Sequence, residues 1–157
     1  MAGKQEQTVT KAKPIPDGFH AITPYLAVQG ASKLMDFLKH AFGATETFRK
    51  MRADGTIHHA QMRIDDSNVM IADAGGPWKP MPTGIYLYVE DCDGTYKRAM
   101  QAGGSSLQEP ADMPYGDRNA GVEDPSGNLW WIATRIEDLS EEEIQRRADA
   151  AEQQQKK

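Results

Sequence analysis

The chain has 157 residues and a single cysteine, Cys92. That length suits one domain able to bury about 68–70% of its unfolded surface, and one cysteine excludes an internal disulfide framework or a multi-cysteine zinc site. A formal net charge of -5 and a pI near 5.3 exclude a general binder of nucleic-acid phosphates, which needs clustered Lys and Arg.

The first ten residues, MAGKQEQTVT, contain no apolar h-region, and no later run is long enough to span a bilayer. A soluble cytoplasmic protein with no membrane partner is expected. Residues 1–13 are polar and aperiodic and read as a disordered tail. TPYLAV, residues 23–28, alternates like a strand. A helix follows, with Leu34, Phe37, Leu38, Ala41 and Phe42 at helical spacing and Gly43 as its C-cap. Two antiparallel strands, about Ile57 to Ile64 and Val69 to Asp73, are joined at Asp65-Asp66-Ser67-Asn68. AGGPWKPMP, residues 74–82, is a linker.

GIYLYV, residues 84–89, is a second alternating strand, and its helix carries Tyr96, Ala99 and Met100 before Gly103-Gly104. Cys92, at the start of that helix, reads as a small structural residue. Pro110, Pro114 and Pro125 blur the next strands; the last, Leu129 to Arg135, is clear. Ser140-Glu141-Glu142-Glu143 has capping-box form and opens a surface helix that frays near Gln155. The organisation is therefore a tail (1–13), one domain (14–139) and a terminal helix with its fraying end (140–157).

Within the domain the chain repeats itself. An offset of 61 residues, without a gap, pairs Tyr25 with Tyr86, Leu26 with Leu87, Val28 with Val89, Gly55 with Gly116 and Ile71 with Ile132. Each copy reads as a β-α-β-β-β unit, one over about residues 20–75 and one over about 83–135, giving an α+β class.

The stretches ITPYLAVQGASKLMDFLKHAFGA, DGTIHHAQMRI, VMIADA, YGDRNAGVEDPSGNLWWIAT and IEDLSEEE, in that order over residues 20–147, resemble the vicinal oxygen chelate superfamily. That superfamily includes glyoxalase I, bleomycin-resistance proteins and extradiol dioxygenases, and the wording is similar to its PhnB-like branch. The resemblance implies a curved mixed sheet from the two modules, helices on its convex face and a ligand cavity in its concave face. It also implies two-fold homodimers, in some relatives with modules exchanged so that each cavity draws on two chains.

By the resemblance, the positions that carry metal ligands fall on Thr23, Met70, Gly84 and Trp131. These residues cannot make a hard or borderline divalent site, which needs carboxylate oxygen or imidazole nitrogen. No cofactor is expected. If a divalent metal (Zn, Ni, Mn or Fe) is bound, its ligands come from His59 and Asp73, with His20 and His58 nearby.

Alternation sends Leu26, Val28, Ala60, Met62, Ile64, Trp130 and Ile132 toward the helices. Thr23, Tyr25, His59, Gln61, Arg63, Met70, Tyr86, Tyr88 and Trp131 then line the cavity, with Ala133 beside them. This lining suits a planar, aromatic or cationic small organic molecule, with Arg63 or Arg118 available to an acidic group. His59 is the candidate general base. His58 falls on the opposite face and His40 on the helix; Asp117 and Arg118 read as an ordinary surface pair in a turn.

Three functions remain open. The first is metal-independent small-molecule binding, with drug sequestration as one form. The second is a metal-dependent glyoxalase-like lyase, isomerase or dioxygenase, and the third a non-catalytic interaction module.

Overall fold

The computed structural model describes residues 11–156; residues 1–10, most of the expected tail, and Lys157 lie outside the described residues. Residues 11–13 are exposed and irregular. The first module comprises β1 (Tyr25–Val28), α1 (Ala31–Phe42), β2 (Thr45–Met51), β3 (Ile57–Ile64) and β4 (Ser67–Asp73). The second repeats the order with β5 (Gly84–Tyr88), α2 (Cys92–Gln101), β6 (Ser105–Asp112), β7 (Asp117–Glu123) and β8 (Leu129–Arg135), and α3 (Glu141–Gln155) ends the chain. Among the described residues no helix is long and apolar enough to cross a membrane.

The α+β class holds, with the mixed sheet present as two four-stranded sheets, ordered β1-β4-β3-β2 and β5-β8-β7-β6. The first pair in each is parallel and the others antiparallel. Tyr25 lies opposite Met70 and Tyr86 opposite Trp131, so the 61-residue offset is preserved between the outer and inner strands of the two sheets. It is not preserved throughout. Gln61 lies opposite Met70, whereas Gly121 lies opposite Trp131, one residue short of that offset. The β7–β8 turn, Asp124 to Asn128, is longer than the Asp65-Asp66 turn of the first module and absorbs the difference.

The strands that sequence left without limits, β2 and β6, are both edge strands. In β2 every residue except Glu46 is exposed, so no buried face imposes a period. In β6 the register slips between Gln108 and Ala111, which lets an edge strand carry Pro110 without losing a central ladder bond.

Gly30, at φ 78, turns the chain from β1 into α1 and offers no side-chain cap. Asp73 supplies the cap from the end of β4: its Oδ1 accepts from the Gly30 and Ala31 amides at 3.1 and 2.9 Å. Leu34, Phe37, Leu38 and Ala41 form the buried stripe of α1. In α2, Asp91 caps the start and Cys92, Thr95 and Ala99 are buried. Burial pushes the Cys92 thiol up to about 11, which leaves it protonated and inert near neutral pH.

The helices join the modules. α1 packs on α2, the Phe42 ring lies 4.9 Å from that of Trp130, and Phe37 meets Phe42 edge to face at 5.6 Å. The helix-facing sides of both sheets thus feed one core. Trp130 is fully buried, and its indole N–H donates to Asp124 Oδ2 at 2.8 Å. Asp124 also accepts from the Ser126 and Asn128 amides and the Asn128 side chain. Asp124→Ala strands these donors in the core and is expected to cost about 3 kcal/mol, read as a lower urea midpoint by circular dichroism, with Asp124→Asn recovering part of the loss.

Candidate binding faces of the two sheets

Because α1 and α2 occupy one side of each sheet, the other side is open. Trp130 and Trp131 divide between the sides: the first is 1% exposed and the second 40%. Leu26, Val28, Ala60 and Met62 are buried on the helix side, while Tyr25, Tyr86 and Tyr88 are exposed on the open side.

On the first sheet a row runs Tyr25, Met70, Gln61, Phe48 across the four strands, and beside it Ala27 lies opposite Ala72 and His59 opposite Lys50. His59 is held from both nitrogens. Tyr25 Oη lies 3.2 Å from Nδ1, and Gln61 Nε2 lies 3.3 Å from Nε2. A donating amide at Nε2 leaves the ring proton on Nδ1, which donates to the tyrosine oxygen. A His59 so engaged must break a hydrogen bond before it can take a proton.

His58 departs from the expected parity. β2 opposite β3 slips from Lys50–His59 to Met51–Ile57, so His58 is an extra residue in a bulge. A bulge breaks the alternation and sends consecutive side chains to one side. His58 and His59 together line a cavity of about 530 Å³ with Tyr25, Ala72 and the linker residues Trp78 and Met81. The Gly75–Trp78 bridge and the Met81 N–H to Ala27 O bond hold the linker beside this face. The His58 side chain is exposed and makes no hydrogen bond among the described residues.

Asp73 is built into the fold instead of a metal site. Besides capping α1 through Oδ1, it accepts the Ile57 amide at 2.7 Å through Oδ2. Thr23 precedes β1 and donates to His20 O at 3.4 Å, and His20 Nε2 reaches Asp66 O at 3.2 Å. Arg63 is exposed and forms no salt bridge among the described residues. Among the described residues no three His, Cys, Asp or Glu side chains converge as a metal site. The donor set at Thr23, Met70, Gly84 and Trp131 does not fit a divalent ion.

The second sheet carries a buried polar network on its open side. Asp117, read as a surface residue of a turn, is 1% exposed. Its Oδ2 accepts from Tyr86 and Tyr88 hydroxyls at 2.8 and 2.9 Å. Asn119, also buried, donates to Tyr86 Oη at 3.1 Å. A Cβ on Gly84 would stand 2.8 Å from the Trp131 ring, so the indole lies over a position that only glycine leaves free. Period two along β7 places Asp117, Asn119, Gly121 and Glu123 on the open side, and that alternation was the signal for this group.

Arg118 is a correction. It does not pair with Asp117 and does not face the open side. Its guanidinium is gripped by Asp93 at 2.6 and 2.9 Å and by Asp112 at 2.9 Å, tying α2 to β6 and β7. The Asp93 contact raises the arginine further above its usual value. Arg135 is the arginine near Asp117, with Nη1 at 3.8 Å from Oδ1.

The expected single lining therefore falls into two sets: Tyr25, His59, Gln61, Arg63 and Met70 on one sheet; Tyr86, Tyr88 and Trp131 on the other. Hydrogen bonds and ring contacts link members within each set, and none of these crosses between sets among the described residues.

Two tandem β-α-β-β-β modules with helices on one side of each sheet and an aromatic open side define a paired-module α+β fold. The chain belongs to the glyoxalase/bleomycin resistance protein/dioxygenase superfamily, whose profile matches residues 18–132. It is 33% identical over 136 residues to an uncharacterized protein of Mycobacterium bovis, covering 80% of this chain and 90% of that one. Its fold is similar to TioX of Micromonospora sp. ML1, with TM-score 0.64 and 27% identity over 73% of this chain and 98% of that one. TnmS3 of Streptomyces sp. CB03234, an antibiotic binding protein, shares the fold with TM-score 0.58 and 22% identity, covering 74% and 98%.

Burial and the neighbouring Tyr115 phenol push Tyr86 above the ordinary tyrosine range of 10.0, and the Asp117 bond pushes up Tyr88. A proton held more tightly in the folded state stabilises it below the unfolded pKa, and that gain is lost as pH rises through the folded value. Absorbance titration is expected to show two of the five tyrosines ionising late. Stability falls above pH 10.0, and the Tyr86→Phe/Tyr88→Phe double variant flattens that fall.

Proposed function

We propose that this protein is a metal-independent small-molecule binding protein whose ligand is planar and aromatic. The single observation that carries this reading is Trp131, with its exposed indole laid over Gly84 at two positions where the family resemblance places metal ligands. A flat exposed indole flanked by Tyr86 and Tyr88 offers stacking area. A thioether at Met70 and a hydroxyl already bonded at Thr23 add no divalent site.

We further infer that the working unit is a homodimer. Tyr25, Phe48, Tyr86, Tyr88 and Trp131 are all at least 40% exposed on the open sides, a concentration of aromatic surface that a lone soluble chain rarely leaves uncovered. A two-fold partner that lays its second sheet against the first would bring the two sets into one cavity. That the same fold binds an antibiotic in TnmS3 supports sequestration of a drug-like molecule, in the cytoplasm, as the role. Sequestration needs no catalytic group, in keeping with a His59 whose nitrogens are both engaged.

Elemental analysis of protein purified without chelators is expected to give substoichiometric Zn, Ni, Mn and Fe; one ion per chain, lost in His59→Ala, would overturn the reading in favour of a metal enzyme. With metal absent, planar aromatic probes are expected to quench tryptophan emission, and Trp131→Ala to remove most of that response. Sedimentation equilibrium is expected to return twice the 17.4 kDa chain mass; a monomer at all concentrations sinks the shared-cavity arrangement.

A further inference from the structure

Asp117 Oδ1 is the one buried side-chain oxygen without a hydrogen-bond partner among the described residues. Buried polar groups are almost always paired, and leaving one unpaired costs about 1–3 kcal/mol. Its sister oxygen is saturated by two phenols, so Asp117 is fixed in place while half of its accepting capacity is unused. The nearest cation, Arg135, stands 3.8 Å away, beyond hydrogen-bond reach, and its Nε is committed to Asp138 at 2.9 Å. Asp117, Asp138 and Arg135 together carry one net negative charge, and Arg118 is spent on Asp93 and Asp112.

The surrounding groups favour one ligand charge. Tyr86 and Tyr88 hydroxyls point their protons at Asp117 and have none left for an incoming anion. Their rings, 5.2 Å apart, present π-faces that attract cations. Alternation along β7 sets Glu123 on the same side as Asp117. Arg135, 44% exposed and paired to the 97% exposed Asp138, is the group most easily moved to uncover Oδ1.

We propose that Asp117 is the specificity residue of the second sheet, and that the ligand is a planar organic cation, an aromatic ring system bearing a protonated nitrogen whose N–H donates to Asp117 Oδ1 while its rings lie against those of Tyr86 and Tyr88. This rests on the small-molecule reading above and names the ligand class. Arg135 swings outward as the cation enters, and the two phenols hold the carboxylate still.

The test is calorimetric titration of the full chain at pH 7.5 with two planar probes, 9-aminoacridine as the cation and anthracene-9-carboxylate as the anion. Wild type is expected to hold the cation about tenfold or more tighter than the anion, as a charge-assisted hydrogen bond predicts. Asp117→Asn removes that preference with little change for the anion. Arg135→Gln, which leaves the phenol bonds to Asp117 intact, tightens the cation severalfold. A purely structural Asp117 would leave the preference unmoved. Equal affinity for the two probes, or no tightening in Arg135→Gln, overturns the proposal while the small-molecule reading survives; heat from neither probe overturns both. Should Asp117→Asn fail to fold, the wild-type preference and Arg135→Gln decide the matter.

Discussion

Packing of α1 on α2, with Phe37, Phe42 and Trp130 between the modules, governs what every strand can present. Once the helices take one side of each sheet, period-two geometry commits the remaining side chains to the other. A tryptophan pair such as Trp130-Trp131 is then split by necessity, one member in the core and the other on the open side. The same constraint separates the two open faces within a chain, because the shared core lies on their helix sides.

The duplication is visible in the chemistry as well as in the register. Tyr25 reaches His59 in the first module at 3.2 Å, and Tyr86 reaches Asn119 in the second at 3.1 Å, the same strand positions carrying different partners. Around these matched tyrosines the modules diverge. The first adds a bulge at His58 and the linker residues Trp78 and Met81, giving an aromatic cavity with two imidazoles. The second adds Tyr88 and Asp117, giving a carboxylate braced by phenols on the sheet face that also carries the Trp131 indole. One half presents imidazoles and the other a carboxylate, so in the proposed homodimer a shared cavity would have chemically distinct ends.

Several acidic residues that look available in sequence are spent on the fold. Asp73 caps α1 and accepts a strand amide, Asp124 closes the β7–β8 turn around Trp130, and Asp93 and Asp112 anchor Arg118. Asp73 and Asp124 accept from backbone amides and an indole that would otherwise lack partners, and Asp93 and Asp112 are paired at a partly exposed guanidinium, so each is already engaged. Asp117 differs because only half of it is used.

The sequence alone determined the module order, the buried stripe of α1 and the split of Trp130 from Trp131, because helical and strand periods are local properties written in neighbouring residues. It determined less where periodicity lapses. β2 is an exposed edge with no buried face to impose a pattern, and β6 carries Pro110 where its register slips. Tertiary structure decided the site. The bulge that turns His58 toward His59 depends on how β2 lies against β3, the grip on Arg118 depends on where α2 packs, and the burial of Asp117 depends on two phenols reaching it from another strand. Such contacts join residues tens of positions apart, and no local period records them.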